Sequence, residues 1–319
     1  MTERSTVADQ GPAELVLIAA AARRHYLQNK SKVDIADELG VSRFKVARLL
    51  DAAREMGLVR IEIVRRGSLD LDASAQLQER YGLRHALVVE VPDRDGAAVR
   101  QLLGEAAAHL LQEVVTPDDV LGLPWSRSVH AVVGALTHLP AIEVVQLTGA
   151  IALPDFDSSA VDIVRRASRL AGGTSHVFYA PFVLDDATSA EALRRQPAVA
   201  EGLDRAGSVT VAVVGIGQWA PGQSTIHDLL GPSEREDLRK EGVVGELAGL
   251  FFDREGRVCR PATAARLITL SEEHLRGIPE VIAVVSGAAK RDAVRAALRG
   301  GLVHSLVVDS ELGQALLQV

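Results

Sequence analysis

The stretch Lys32–Leu50, KVDIADELGVSRFKVARLL, reads as two short helices joined by a tight turn. In the first, Val33, Ile35, Ala36 and Leu39 fall at helical spacing and form an apolar stripe, while Asp34, Asp37 and Glu38 face water. Gly40 takes the turn, where a left-handed backbone costs glycine little, and Val41 follows as an apolar plug. Ser42 suits the N-cap of the next helix, whose Phe44, Val46, Ala47, Leu49 and Leu50 are expected to supply its buried side. This spacing is that of a helix-turn-helix. It leaves Ser42, Arg43, Lys45 and Arg48, with Lys32 opening the first helix, to meet double-stranded DNA.

Because a helical pair with a glycine turn also occurs in ordinary bundles, the flanks carry weight. Upstream, Glu14–Gln28 (ELVLIAAAARRHYLQ) is Ala-rich with Arg23 and Arg24 toward its C-terminal half, and predicts a third helix against which the pair can pack. Downstream, Gly57 ends the second helix and Leu58–Val64 (LVRIEIV) alternates with period two, the start of a wing. Arg60, Arg65 and Arg66 lie on or just past that strand, placed for phosphates rather than bases. A winged helix-turn-helix domain over residues 1–66 is expected, followed by a second domain over 67–319.

A chain of 319 residues that is 47% hydrophobic and 24% charged buries a sizeable core and has room for more than one domain. Its net charge of −7 argues against a protein that coats nucleic acid along its whole surface. The distribution is more informative: residues 1–66 carry 12 Lys or Arg against 9 Asp or Glu, and the remainder 23 against 33. A mildly basic head on an acidic body suits local DNA contact by a small domain. The single cysteine, Cys259, excludes an intrachain disulfide and a cysteine-cluster metal site, no histidine–acid spacing suggests a metal, and no cofactor motif is read. The N-terminus lacks a signal pattern and no apolar run reaches the roughly 18 residues of a membrane span, so a cytoplasmic location is expected.

Beyond Gly67 the text alternates strand and helix. Helix Leu71–Tyr81 precedes strand His85–Val91; helix Ala97–Val115, strand Asp119–Leu123, helix Ser126–Leu139 and strand Ile142–Leu147 follow. Helix Ser158–Ala171, strand His176–Phe182, helical pieces Ala187–Arg195 and Val199–Ala206, and strand Ser208–Val214 come next, and Val281–Val285, Lys290–Leu298, Leu302–Val308 and Ser310–Leu317 repeat the pattern. Strands apolar on both faces and separated by helices predict an α/β fold, a Rossmann-like three-layer α/β/α domain with a mostly parallel sheet.

Ligands of such sheets gather beyond the carboxyl ends of the strands. Four such places stand out. Ser126, Arg127 and Ser128 enter a helix and combine hydroxyls, a cation and helix N–H groups, as an anion site requires. Thr148-Gly149 is small enough for close backbone approach, and Gly215–Gln218, through Gly217, follows the long apolar strand Ser208–Val214. Lys290 sits near a helix start, where a cation works against the dipole unless an anion compensates it. Together they point to a small anionic organic ligand such as a sugar phosphate. Glu246, the one acid in GVVGELAGLFFD, can accept hydrogen bonds from ligand hydroxyls; a solvated helix face explains it as well. Catalytic candidates are sparse: His176, His227, Asp155, Asp157 and the Asp185-Asp186 pair are joined to no second partner by a recognisable motif.

From about Glu14 onward the chain resembles the SorC/DeoR-like bacterial sugar-responsive transcription regulators, through DIADELGVSRFKVARLL, LGLPWSRSVHAV, VVQLTGA, HVFYAPF, VAVVGIG, GVVGELAGLFFDREGR and VIAVVSGAAKRDAVRAALRGGLVHSLVVDSELGQALL in that order. The resemblance implies a sensor domain similar in fold to sugar-phosphate isomerases and glucosamine-phosphate deaminases. It implies a sugar or phosphate pocket built from Ser126, Arg127, Ser128, Thr148, Gly149, Gly215 to Gly217, Glu246 and Lys290. It also implies a homo-oligomer, a dimer or a tetramer that is a pair of dimers. The chain departs from the family where a glycine is usual at Ser126, a paired glycine at Gly149-Ala150 and a double glycine at Gly287-Ala288, and each departure adds a methyl or hydroxyl near the ligand. The expected function is sequence-specific operator binding controlled by a sugar or sugar-phosphate effector, with Arg43 and Lys45 on base edges and Ser42, Arg48 and Arg60 on phosphates. The alternatives are a sugar-phosphate isomerase or deaminase carrying an appended helix-turn-helix, and a protein-docking role for the first 66 residues.

Overall fold

Ser31 initiates the first helix of the quoted stretch: its side chain accepts from the Asp34 N–H, and Asp34 returns the bond to the Ser31 N–H, a reciprocal cap. The helix ends at Gly40, whose φ of 64° is the left-handed conformation expected of it. The computed structural model describes residues 11–59, 68–92, 95–153 and 158–318, and the chain divides into two compact units, residues 1–64 and 65–319.

In the first unit, α1 (Pro12–Ala22) runs into a π-helical turn (Arg23–Leu27), followed by α2 (Lys32–Leu39) and α3 (Arg43–Glu55). Ile18, Ala21 and Ala22 from α1, Ile35 and Ala36 from α2, and Val46, Leu49, Leu50 and Ala53 from α3 form one small core. Two residues assigned to the buried stripe lie elsewhere: Val33 is 51% exposed and Phe44 83% exposed. The reason is angular. The core side of α3 is Val46, Leu49, Leu50 and Ala53, spaced i, i+3, i+4 and i+7, and Phe44 lies off it. Of the wing strand, Leu58 and Val59 are described; Arg60 to Val64, with Arg65 and Arg66, lie outside the described residues.

The second unit runs α4 (Leu71–Tyr81), β1 (His85–Val89), α5 (Gly96–Val114), β2 (Val120–Leu123), α6 (Arg127–Ala135), β3 (Glu143–Gln146), α7 (Ala160–Ala171), β4 (Ser175–His176), α8 (Ala187–Arg194), α9 (Pro197–Asp204) and β5 (Val211–Val214). It continues through β6 (Gly217–Gln218), α10 (Thr225–Leu229), α11 (Pro232–Lys240), β7 (Gly245–Leu247), β8 (Leu250–Phe252), β9 (Val258–Cys259), α12 (Glu272–Gly277), β10 (Glu280–Val285), α13 (Arg291–Arg299), β11 (Ser305–Asp309) and α14 (Ser310–Leu317). Among the described residues seven parallel strands form one sheet in the order β1-β11-β10-β5-β2-β3-β4. Both faces are covered. Along β10, Ile282 and Val284 join the core beneath α5, α6 and α7, while Val281, Ala283 and Val285 join the core beneath α4, α13 and α14. This double burial is why the strands read as unbroken apolar runs.

From β2 the chain winds outward through β3 to β4, then returns to place β5 on the other side of β2 and winds away through β10 and β11. Adjacent β2 and β5 therefore send their following loops to opposite faces, which opens a crevice at their carboxyl ends. A second sheet, β6-β7-β8-β9, is antiparallel and stands beside that crevice. Of the predicted strand His176–Phe182 only His176 is in regular strand; Pro181 and Val183 make isolated bridges to Ala150 and Leu267.

Candidate functional site

The crevice between β2 and β5 holds a cavity of about 300 Å³. Of the residues expected to bind an effector, Ser126, Arg127, Ser128, Thr148, Gly215, Gly217, Glu246 and Lys290 line it. They come from the ends of four different strands and from the antiparallel sheet. Gly149 and Gln218 do not line it. The Gly149 N–H bonds to the Ile268 carbonyl at 2.8 Å, and an added Cβ would stand 2.6 Å from the Pro181 carbonyl oxygen, so this glycine serves backbone packing. Gln218 Oε1 accepts from the Ala293 N–H at 2.9 Å and ties β6 to α13.

Local bonding explains how the loops are held. After β2, the Trp125 N–H donates to Thr148 Oγ1 at 2.8 Å, so the threonine after β3 anchors the loop that leads into α6. The Thr148 carbonyl in turn accepts from Gln146 Nε2 at 2.8 Å, and Gln146 is fully buried. Ser126 caps α6 by accepting from the Ser128 N–H at 3.2 Å, and its hydroxyl fills the space beside Gly215, where a Cβ would lie 2.8 Å away. After β10, Gly287 adopts a φ of 92° and donates its N–H to Asp309 Oδ2 at 2.6 Å; this holds the turn that delivers Lys290.

Glu246 lies on β7, not on a helix face. It pairs across the sheet with Gly217, where a Cβ would come within 2.2 Å of Glu246 Oε1, so only glycine leaves room for the carboxylate. The Ser224 hydroxyl donates to Glu246 Oε1 at 3.0 Å and the Gly249 N–H to Oε2 at 3.4 Å. Burial pushes the Glu246 carboxyl above its ordinary range, against the lowering pull of Ser224, Gly249 and the Lys290 charge. Burial likewise pushes the Lys290 ammonium down; the Arg100 charge adds to this, and Glu246 and Asp309 act against it. Among the described residues no carboxylate comes within ion-pair distance of Lys290. Both groups are thus poised for a ligand that presents hydroxyls to the acid and negative charge to the cation.

Sequence reasoning missed Arg100, Ser224, Ser286 and Asp228, which also line the cavity. Ser224 carried a signal, a hydroxyl three residues before a helical His-Asp pair, since its side chain caps α10 by accepting from the His227 N–H. Of the described catalytic candidates, His176, His227, Asp185 and Asp186 do not line the cavity. His176 Nε2 is 2.9 Å from Glu143 Oε2 on the sheet edge, and His227 is buried edge-on against Trp219 with Nδ1 3.0 Å from Asp228 Oδ1. Asp155 and Asp157 lie outside the described residues. Among the described residues no cluster of three or more His, Cys, Asp or Glu is arranged to hold a metal, and no helix is long and apolar enough to cross a membrane.

In the first unit, Ser42 accepts from the Lys45 N–H at 3.2 Å and so caps α3. Lys32, Ser42, Arg43, Lys45 and Arg48 are all exposed. Of the other described cations of this unit, Arg24 and Lys30 share Glu38, and Arg54 pairs with Asp51. Among the described residues Arg43, Lys45 and Arg48 form no such pairs. The first half of α3 therefore carries three cations that have no acidic partner among the described residues.

A helix-turn-helix unit on the same chain as a Rossmann-like domain with a ligand-sized crevice at its strand switch point defines a class, the ligand-sensing transcription regulators. The chain belongs to the SorC/DeoR-like sugar-binding regulators, with residues 66–318 matching the sugar-binding domain family Sugar-bind. It is 28% identical over 322 residues to the transcriptional regulator LsrR of Escherichia coli K12, covering 98% of each chain. It is 27% identical over 299 residues to the deoxyribonucleoside regulator of Bacillus subtilis, covering 93% of this chain and 95% of that one. Its fold is similar to the full-length sorbitol operon regulator SorC from Klebsiella pneumoniae, with a TM-score of 0.74 at 24% identity over 97% of this chain and 100% of that one. A DeoR family transcriptional regulator from Listeria monocytogenes gives 0.70 at 25% identity over 77% of this chain and 98% of that one.

Proposed function

We propose that the chain is a cytoplasmic, non-enzymatic regulator that binds an operator through residues 1–66 and senses a sugar or sugar phosphate through residues 67–319. The observation that carries this reading is the convergence of Lys290, Arg100, Arg127 and the buried Glu246 on one crevice, where anion and hydroxyl recognition are combined. Ser126, Ser128, Thr148, Gly215 and Gly217 shape the remaining wall, while Gly149 and Gln218 support it from behind. On the DNA side, Arg43 and Lys45 take base edges and Lys32, Ser42, Arg48 and Arg60 take phosphates. One such unit reads too few bases for useful specificity, so the working form is a homo-oligomer, a dimer or a tetramer, on a palindromic site. Effector binding needs a differential affinity of about 1 to 3 kcal/mol between the two forms to act as a switch.

A thermal-shift panel of sugars and sugar phosphates, followed by duplex selection with and without the strongest hit, tests the reading. A saturable shift, sequence-preferring binding altered by the same compound, and relaxed preference in Arg43→Ala are expected. Turnover of any panel compound would favour the enzyme alternative. Retention on duplex that is insensitive to salt would favour a protein-docking head.

A further inference from the structure

Among the described residues Phe44 is the most exposed large apolar side chain, at 83%. Burying a phenylalanine is worth roughly 1.5 to 3 kcal/mol, a gain that this unit on its own forgoes. Position explains why. At about 100° per residue, Phe44 projects directly opposite the face formed by Val46, Leu49, Leu50 and Ala53. Arg48 follows one turn later on the same outward line, and Asp51 and Glu55 continue it. Read from its N-terminus, the outward line of α3 is aromatic, then cationic, then acidic. Arg43 and Lys45 flank Phe44 on either side, and the Ser42 cap lies at the tip.

Resting on the DNA-binding reading above, we propose that Phe44 determines sequence specificity by packing on the C5-methyl group of a thymine in the major groove. Whatever covers Phe44 must be apolar at its centre and anionic around it, because Arg43, Lys45 and Arg48, which have no acidic partner among the described residues, lie beside it and one turn beyond. A second copy of this surface brings those cations against each other. A duplex offers the required pattern, with a thymine methyl on the groove floor and phosphates on both rims. The acidic second half of α3 is repelled by the same phosphates, so the helix enters by its first turn, as recognition helices do.

The test separates the methyl from every other feature of the base. In the duplex preferred by the wild-type chain, each thymine of a half-site is replaced in turn by deoxyuridine, which lacks only that methyl. One position per half-site is expected to weaken wild-type binding about fourfold, the worth of one buried methyl, and to leave Phe44→Ala unaffected. Phe44→Leu, which keeps an apolar group, should retain part of the discrimination. Because Phe44 is exposed, both variants should melt with the wild type, which excludes misfolding. Clear sequence preference with indifference to every uracil overturns this proposal alone, as does a Phe44→Ala loss that is uniform over all duplexes. Absence of any sequence preference in the wild type overturns the DNA-binding reading and this proposal with it.

Discussion

Replacing Lys290 by methionine separates the ligand role of the ammonium from any structural one, because the two predict opposite signs. Among the described residues the ammonium is desolvated without an ion-pair partner, and burial lowers its pKa. An apolar side chain of similar length removes that penalty, so the melting temperature of Lys290→Met should equal or exceed the wild type's. With a phosphorylated ligand the variant loses one charge-assisted hydrogen bond, about 1.5 to 3 kcal/mol, or roughly 10- to 150-fold in Kd. At a concentration 100 times the wild-type Kd, ligand stabilises the wild type by about 2.7 kcal/mol. The same concentration is then only about 10-fold above to slightly below the variant's Kd, which leaves about 1.4 to 0.3 kcal/mol. Differential scanning fluorimetry should thus show the ligand-induced shift cut to about half or less, while a neutral sugar's shift changes little. An undiminished shift with the phosphorylated compound would refute the placement of its anion at Lys290, and a large fall in unliganded melting temperature would make the residue structural.

Two further substitutions probe the same crevice. Ser126→Gly removes the hydroxyl that occupies the Ser128 N–H and fills the space beside Gly215. Calorimetric titration should show phosphorylated ligands gaining about 1 kcal/mol, with only a few tenths lost from the helix cap; an equal gain for neutral sugars would count against the released N–H as the cause. Glu246→Gln bears on pH. The folded-state pKa of Glu246 is raised above its ordinary value of 4.5, so in the window between the two the native state holds a proton that the unfolded chain has lost. Wild-type stability should therefore fall as pH rises through that window, relative to Glu246→Gln, and the full penalty should be present above the raised pKa. Parallel denaturation midpoints for the two proteins at every pH would show that the carboxyl is not desolvated.

The parts of the structure that sequence revealed are those with a repeating physical constraint. Gly40, Ser42 and the Val46–Leu49–Leu50 spacing specify the turn and core of the helix-turn-helix, and the apolar strands declare a sheet covered on both faces. Phe44 reads as core by apolar character alone, but projected around the helix it falls opposite Val46 and Ala53. The antiparallel sheet escaped notice because β6 to β9 are two or three residues long, too short for any period. Its β7–β8 turn is formed by Ala248 and Gly249, both at positive φ, and an alanine there gives none of the usual hairpin signal. Arg100 was invisible for another reason: nothing along α5 marks which of its polar residues meets the crevice, since that depends on the packing of α5 against the sheet.

The crossover that sets β2 beside β5 also governs when the protein becomes responsive. The cavity wall draws on Ser126, Thr148, Gly215, Glu246 and Lys290, so its first and last elements are separated by more than half of the chain, and β5 contacts β10 as well as β2. Such a pocket has no local precursor, because closing it requires pairings between strands far apart in sequence. A polypeptide emerging from the ribosome carries a finished helix-turn-helix core long before Lys290 is made. The fold of the DNA-reading head therefore precedes, within each round of synthesis, the pocket through which that head is told to let go or hold on.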